Sequence, residues 1–516
     1  MALTPEQVPE TATKILAMRE LEQQRLGRIG AYMRGRHDSV YVPHGAKQEY
    51  KWLLHRSVVN FLPLVVSVIS QNLHVDGYIP MNITGEGSSA APAEAMADPS
   101  NPWALWHANR MQARQHALHR AVAKYGIAYT VVLPGTLPGA DGETEASTAA
   151  AVIRPVSPRR LTALYADDVD DEWPVYAVEE RIVRSAKGKV RIVWLYDEQN
   201  RYTLAGKPDE ATLDWPQNAA VLTALDGGWD ALSGGKPVVE EHGLGVCPVV
   251  RYLHDLDLDG EMDVSGEVEP LIPLQDQVNT TTFNILMAQQ YAAFRQRWVT
   301  GMVPNDEDGR PREPFRSGVD RLWVAEDTDT KFGEFDQTDP SGMLNSREAS
   351  IRHMSTIAQV PPYHLLGMVA NLSAEALAAA KDGLDRHIDE LEGVLAEPHK
   401  QTFRLAGLAA GNKAAWQDRT STVVWRDTSA RAFAATVDAL GKIAQMLGVP
   451  ATELWSRIPG IPAEEVARWK QVAESQGALA ELNAMIERQV TAGAQDTLPS
   501  ASEPFQAPAL GKQTGI

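Results

Sequence analysis

The chain has 516 residues, long enough for about two to four domains with cores of their own, and its 44% hydrophobic and 22% charged content is ordinary for a folded protein. A single cysteine, Cys247, excludes an intrachain disulfide and any multi-cysteine zinc or iron–sulfur site. The net charge of −19 argues against tight nucleic-acid binding, because gripping phosphates usually demands a basic excess.

Glu6 and Glu10 interrupt the N-terminus and no apolar run follows, so no signal peptide is expected. Thr13 to Met33 is predicted to be an amphipathic helix burying Ile15, Met18, Leu21, Leu26, Ile29 and Met33, and ending near Gly35. A second helix is predicted from Glu49 to Leu73. Within it, the apolar stretch Val58–Ile69 is interrupted by Asn60 and Pro63 and falls short of the roughly 20 residues of a membrane span, so a soluble, cytoplasmic-type chain is expected. A short strand follows at Val75–Ile79, then an Ala/Gly/Ser/Pro-rich loop from Thr84 to Pro99. Trp103, Trp106, Met111, Leu118 and Val122 mark another helix that stops at Gly126. From there to Val250 the pattern changes to short β runs: 128–133, 151–155, 162–165, 175–183, 190–196 and 202–204, with a second Ala/Gly/Thr loop at 137–149. Helices followed by clustered strands make the fold class α+β.

From Gly266 to Gly411 the order is helix, compact β insert, helix, proline break, long helix. The first helix, about Pro270 to Arg295, places Leu274, Val278, Thr281, Ile285, Gln289 and Ala292 on one face. Gln289, Gln290 and the run Thr280-Thr281-Thr282 dilute that face, so a helix outside the deep core is expected, packing on copies of itself or lining a wet passage. The insert 298–339 is expected to hold strands near Val299, at 322–324 and at 332–335, joined by a hydrophilic loop containing Arg310, Arg312, Glu313 and Arg316. A helix from Ser341 to Gln359 stops at Val360-Pro361-Pro362, since proline disfavours helical geometry just before it. The long helix starts at Ser373, a good N-cap, and carries Leu377, Leu384, Ile388, Leu391 and Leu395 in a near-heptad seam. The same seam suits an ordinary amphipathic scaffold helix. Pro398 is expected to kink or end it. A strand at 422–426, alternating helices to about Ala492 and a disordered tail from Gly493 complete the chain.

No catalytic motif stands out. Gly234-Gly235-Lys236 lacks the earlier glycine of a phosphate loop and runs into Pro237. No paired-histidine helix motif or nucleophile elbow is present. Asp255, Asp257, Asp259 and Glu261 have the look of a calcium loop, but its twelfth position, counting Asp255 as the first, is Gly266, and a solvated acidic loop is expected. The acidic groups at 167–168 and 170–172 read as surface, His242 as structural, and Cys247, inside Val246-Cys247-Pro248-Val249-Val250, as a buried inert thiol.

Several stretches together resemble the portal (head–tail connector) proteins of tailed bacteriophages, especially the branch found in actinobacterial phages. These are His242-Gly243-Leu244-Gly245 leading to Pro248, Glu267 to Asn279, Pro361-Pro362-Tyr363-His364-Leu365-Leu366-Gly367, Asn371 to Leu377, and Trp103, Asn109 and Tyr125-Gly126. The resemblance covers nearly the whole chain to about residue 490. It implies a portal fold: an α+β wing domain over 1–265, a first stem helix at 266–297, a clip at 298–339 and a second stem helix at 340–359. A tunnel loop at 360–372, the long helix and return strand of the wing at 373–427, a helical crown at 428–492 and the disordered tail 493–516 follow. It further implies a ring, usually of twelve subunits, at one capsid vertex, with no cofactor and no membrane. Implied partners are the packaging motor (terminase large subunit), the head–tail adaptor, the major capsid and scaffolding proteins, and double-stranded DNA passing without sequence specificity. The protein would be assembled in the host cytoplasm and reside in the virion. Pro361, Pro362, Leu365, Leu366, Gly367, Met368, Val369 and Asn371 would form the channel collar, and Arg310, Arg312, Glu313 and Arg316 the docking surface. Another ring-forming adaptor component and an enzyme without recognisable motifs stay open as alternatives.

Overall fold

The computed structural model describes residues 3–40, 48–80, 100–135, 150–185, 188–206, 213, 238–256, 264–292, 297–301, 329–334, 339–367, 374–426 and 433–455, with scattered positions from 458 to 473. The chain divides into two compact units, 1–84 with 98–429, and 85–97 with 430–516. The first unit begins with α1 (Val8–Met33), α2 (Gln48–Arg56), α3 (Leu62–Asn72), β1 (Val75–Ile79), α4 (Pro102–Ala108) and α5 (Met111–Tyr125). Strands β2 (Ile127–Gly135), β3 (Ala150–Val156), β4 (Leu161–Leu164), β5 (Tyr176–Ser185), β6 (Gly188–Tyr196), β7 (Asn200–Gly206), β8 (Val238–Glu241) and β9 (Val249–Leu253) follow. Then come a 3-10 turn (Glu269–Leu271), α6 (Ile272–Ala292), β10 (Arg297–Thr300), β11 (Lys331–Glu334), α7 (Ser341–Ile357), α8 (Pro362–Leu366), α9 (Ala374–Ala409), α10 (Lys413–Gln417) and β12 (Thr422–Trp425).

The body is built in layers. Strands β3-β2-β9 form one antiparallel sheet and β4-β5-β6-β7-β8 an antiparallel meander. Successive side chains of β2 point to opposite faces, so the strand serves two cores. Ile127, Tyr129 and Val131 meet Leu161, Ala177, Ile192 and Tyr196 of the meander. Ala128 and Val132 face the other way, into the core that holds Leu391, Leu395 and Phe403 of α9. The far side of the meander, through Val178, Val193, Leu195 and Leu204, is covered by Val8, Ala12, Ile15 and Leu16 of α1. Both faces of β2 are therefore buried, which explains its nearly unbroken apolar run. Cys247 lies in the inter-sheet core, where burial pushes its thiol pKa up, as expected of an inert cysteine.

Several expectations need correction. The helix predicted over 49–73 is two helices, because Asn60 accepts from Leu62 N at 3.3 Å and Pro63 opens a new first turn. The helix over 103–122 is broken at Asn109 and Arg110, the latter in the left-handed region (φ 56°). Asn109 there acts as a strand residue: its Nδ2 donates to Ala151 O at 2.7 Å and its Oδ1 accepts from Ile153 N at 2.9 Å, pairing the free edge of β3. Pro398 does not end α9; it lies inside the helix. The missing hydrogen bond costs about 3 kcal/mol, and burial of Leu391, Leu395, Phe403, Leu405 and Ala406 on both sides of it offsets that. In α1, Met18 is 64% exposed while Leu16 and Tyr32 are buried, so the stripe follows a slightly different face. Glu172, read as surface, accepts from the buried Arg404. Among the seam residues, Leu384, Ile388, Leu391 and Leu395 are buried as predicted, whereas Ser373, the side chain of Leu377, Asp257, Asp259, Glu261 and residues 322–324 lie outside the described residues.

The second unit contains α11 (Phe433–Leu447) and α12 (Ala451–Leu454), joined through Gly448 at φ 66°. Leu454 and Val466 are buried within it, and Trp455 meets Trp469 edge-on at 6.1 Å.

Candidate functional site

Helices α6 and α7 pack together, and β10 and β11 pair antiparallel beyond their ends, so the stretch forms a helical hairpin with a small β tip. Trp298 sits opposite Gly333, and a Cβ on Gly333 would stand 2.2 Å from the indole, so any larger residue there would displace that ring. The hairpin is buried at one end only. Val278, Phe283 and Ile285 of α6 and Ile351 and Met354 of α7 are covered. Toward the tip, Gln289, Gln290, Leu344, Asn345 and Ser346 are exposed, as are Trp298 and Phe332.

The base of α6 corrects the expectation of a helix lying outside the core. Its polar residues Gln275 and Asn279 are fully buried, because they complete the backbone where α2 and α3 separate. Gln275 Oε1 accepts from Phe61 N at 3.0 Å and its Nε2 donates to Val59 O. Asn279 Oδ1 accepts from Val59 N at 3.1 Å, and its Nδ2 donates to His37 Nδ1 at 2.7 Å. His37 therefore carries its proton on Nε2, which donates to Tyr32 O at 3.1 Å while the ring stacks on Tyr32. Tyr32 in turn donates to Asp276, where burial raises the carboxyl pKa, and burial likewise pushes the Tyr32 phenol up to about 12. The break between α2 and α3 and the polar face of α6 are thus one feature. Each supplies the hydrogen bonds the other lacks.

After α7 the chain turns through Gln359, left-handed at φ 51°, with Val360 N donating to Ser355 O at 3.0 Å and Ser355 Oγ to Val360 O. Pro361 caps α8 and Pro362 opens it, a short helix where a loop was expected. Leu365 is 6% exposed in the main core and Leu366 packs against it. Gly367 ends α8 at φ 68°, its N–H returning to Tyr363 O at 3.0 Å. Of the collar residues, Met368, Val369 and Asn371 lie outside the described residues, as do Arg310, Arg312, Glu313 and Arg316.

Behind the hairpin, α9 is held to the sheet by a buried polar chain. His119 Nδ1 meets Leu73 O at 3.0 Å, and since a carbonyl only accepts, that nitrogen carries the proton. His119 Nε2 then accepts from His399 Nε2 at 2.9 Å, and His399 Nδ1 accepts from Tyr252 Oη at 3.3 Å. Thr402 lies 2.7 Å from Tyr252 Oη and 3.0 Å from Thr130. Burial pushes the His119 pKa down to about 3, helped by His116 and His74, and that of His399 well below the usual range, helped by His119. Both imidazoles are neutral, which the donor–acceptor order requires. A second polar cluster, His254, Glu267 and His387, lies where the chain enters α6. No spacing signal in the chain points to either group: His119 and His399 are 280 residues apart, Glu267 and His387 120.

Residues 13–477 match the family model described as "Phage portal protein, SPP1 Gp6-like". The chain belongs to the phage portal family. Portal proteins are structural components of the phage particle, and this portal chain is a head–tail connector rather than an enzyme. Its mixture of helices and antiparallel sheets is consistent with a portal fold. No curated protein matches it. Among solved structures it resembles a chain from the virion of a native gene transfer agent particle, at TM-score 0.41 and 13% identity over 82% of this chain and 99% of that one. It also resembles a chain from the neck of an empty gene transfer agent particle, at TM-score 0.36 and 12% identity over 82% and 94%. Among the described residues, no helix is long and apolar enough to cross a membrane.

Proposed function

We propose that twelve copies of the portal chain close into a ring at one capsid vertex, and that double-stranded DNA is packaged and ejected through its centre. The ring would belong to the branch found in actinobacterial phages. In this reading 1–265 is the wing, α6 and α7 are the stem, 298–339 is the clip, 360–372 the tunnel loop and 428–492 the crown. The α6–α7 hairpin supports the reading most directly. It is anchored at its base by Gln275 and Asn279, yet it carries exposed Leu344, Trp298 and Phe332 beyond that anchor. In a ring, neighbouring hairpins would cover those side chains through a head-to-tail interface that closes on itself. The net charge of −19 fits a channel in which DNA must slide, since each lysine or arginine on a phosphate would hold it.

The clip meets the terminase large subunit during packaging and the adaptor afterwards, through Arg310, Arg312, Glu313 and Arg316; capsid and scaffolding proteins surround the wing. In the tunnel loop, Leu365 and Leu366 anchor the segment while Met368, Val369 and Asn371 touch DNA without binding its phosphates. Gly367, already left-handed, gives the loop its turn away from α8. The test is DNA packaging by rings carrying Met368→Lys and Val369→Lys together. Slowed or stalled packaging with rings still formed is expected; packaging at the normal rate and salt dependence would remove the collar assignment.

A further inference from the structure

Three side chains from distant parts of the first unit converge beside the start of α6. His254 follows β9, Glu267 precedes the 3-10 turn, and His387 stands on α9 between the buried Leu384 and Ile388. Glu267 Oε1 lies 2.8 Å from His254 Nε2 and 2.6 Å from His387 Nε2. One ligand atom from each residue lies within 4.8 Å of the other two. The side chains are nearly closed off, 13% exposed for each histidine and 8% for the glutamate. Their backbones are fixed as well. His254 N donates to Gly126 O and Glu267 N to Ala123 O, both at 2.8 Å. Gly266 presses on Gly126 so closely that a Cβ would stand 2.5 Å from its nitrogen.

A lysine or arginine would suffice to pair one buried carboxylate. Here, among the described residues, the ion partners of Glu267 are two histidines that present the same ring nitrogen to the same oxygen. We propose that His254, Glu267 and His387 bind a zinc ion that ties the sheet, the start of the stem and the long helix together. Two imidazoles and one carboxylate favour Zn2+ over Ca2+ or Mg2+, which prefer all-oxygen shells. Zinc–ligand lengths of about 2.0–2.1 Å in tetrahedral geometry put ligand atoms about 3.3 Å apart. The two Glu267 contacts therefore need to open by about 0.5 and 0.7 Å, with water as fourth ligand. His387 Nδ1 is buried without a hydrogen-bond partner among the described residues. An outer acceptor on a ligating histidine is worth about 10–100-fold in affinity, so its absence at His387 weakens zinc binding by about that factor.

The experiment uses the full-length, tag-free chain, stripped with EDTA, titrated with zinc chloride and assayed for retained zinc by elemental analysis. One zinc per chain and a raised melting temperature, both reversed by EDTA, are expected. His254→Gln with His387→Gln keeps amide donors toward Glu267 but removes the imidazole ligands, and at least tenfold weaker binding is expected. Glu267→Gln serves as a second variant should circular dichroism show the first unfolded. No zinc retained by the parent chain overturns the proposal, as does undiminished binding by a folded variant.

Discussion

Two buried polar junctions hold the helices of the first unit, and they use different chemistry. Where α6 meets residues 59–61, Gln275 and Asn279 satisfy backbone groups with amides, which never titrate. Where α9 meets the sheet, His119, His399, Tyr252, Thr402 and Thr130 satisfy one another in a single donor–acceptor order. The amide junction works at any pH. The imidazole junction works only while both rings are neutral, because a proton on His119 would set two N–H groups facing each other and one on His399 Nδ1 would face the hydroxyl donor of Tyr252. The bonds from the Gln275 amide to the backbone are thus indifferent to acid while the imidazole chain behind them is not.

The largest effect should come from breaking the amide junction. Gln275→Leu leaves Phe61 N and Val59 O buried without partners, and about 1–3 kcal/mol for each predicts a loss of about 4 kcal/mol in denaturant unfolding. Its cost should be the same at pH 8 and pH 5.5, which is what separates this junction from the other. The imidazole junction gives a smaller effect that appears only in acid. Burial holds the folded pKa of His119 near 3, below the ordinary 6.5, so the unfolded chain takes up protons first. Stability is then full above about pH 6.5 and falls as pH drops toward 3, by about 2 kcal/mol per histidine at pH 5. His399 contributes with the same sign. So does His74, which burial, helped by Arg426 and His116, pushes down to about 4. Melting temperatures from pH 8 to 5 should show the decline, and His119→Gln should flatten it; a flat parent profile would mean the junction accepts charge. Smallest is Met18→Ser on the exposed face of α1, expected within about 0.5 kcal/mol of the parent. A loss above 2 kcal/mol would put Met18 back in a buried stripe.

Where apolar periodicity carried the information, the fold was legible: the strand runs of 128–196, the seam Leu384–Leu395 and the helix from Ser341 all follow from spacing. Periodicity failed where polar side chains do structural work. Gln289, Gln290 and Thr280 to Thr282 made α6 look too polar for a core helix, and the buried anchors Gln275 and Asn279 gave no signal, because their partners are backbone atoms more than 200 residues away. Asn109 broke a helix that the apolar pattern ran straight through, since an amide bonding the backbone leaves no gap in hydrophobic spacing, and the interruption seen at Asn60 and Pro63 was a helix boundary rather than a flaw within one helix. A helix end at Pro398 did not arise: its local penalty is real, but burial on both sides offsets it. At the candidate site, the segment from Pro361 to Gly367 was visible as a proline-led apolar stretch, while the burial of Leu365 depends on contacts that chain order does not reveal.

The central claim is that the anchored α6–α7 hairpin is completed by neighbouring copies. Native mass spectrometry of the purified full-length chain, at several salt concentrations and micromolar protein, tests it most directly. Closed rings of twelve, alone or beside monomer, are expected. Monomer alone under every condition would contradict the account.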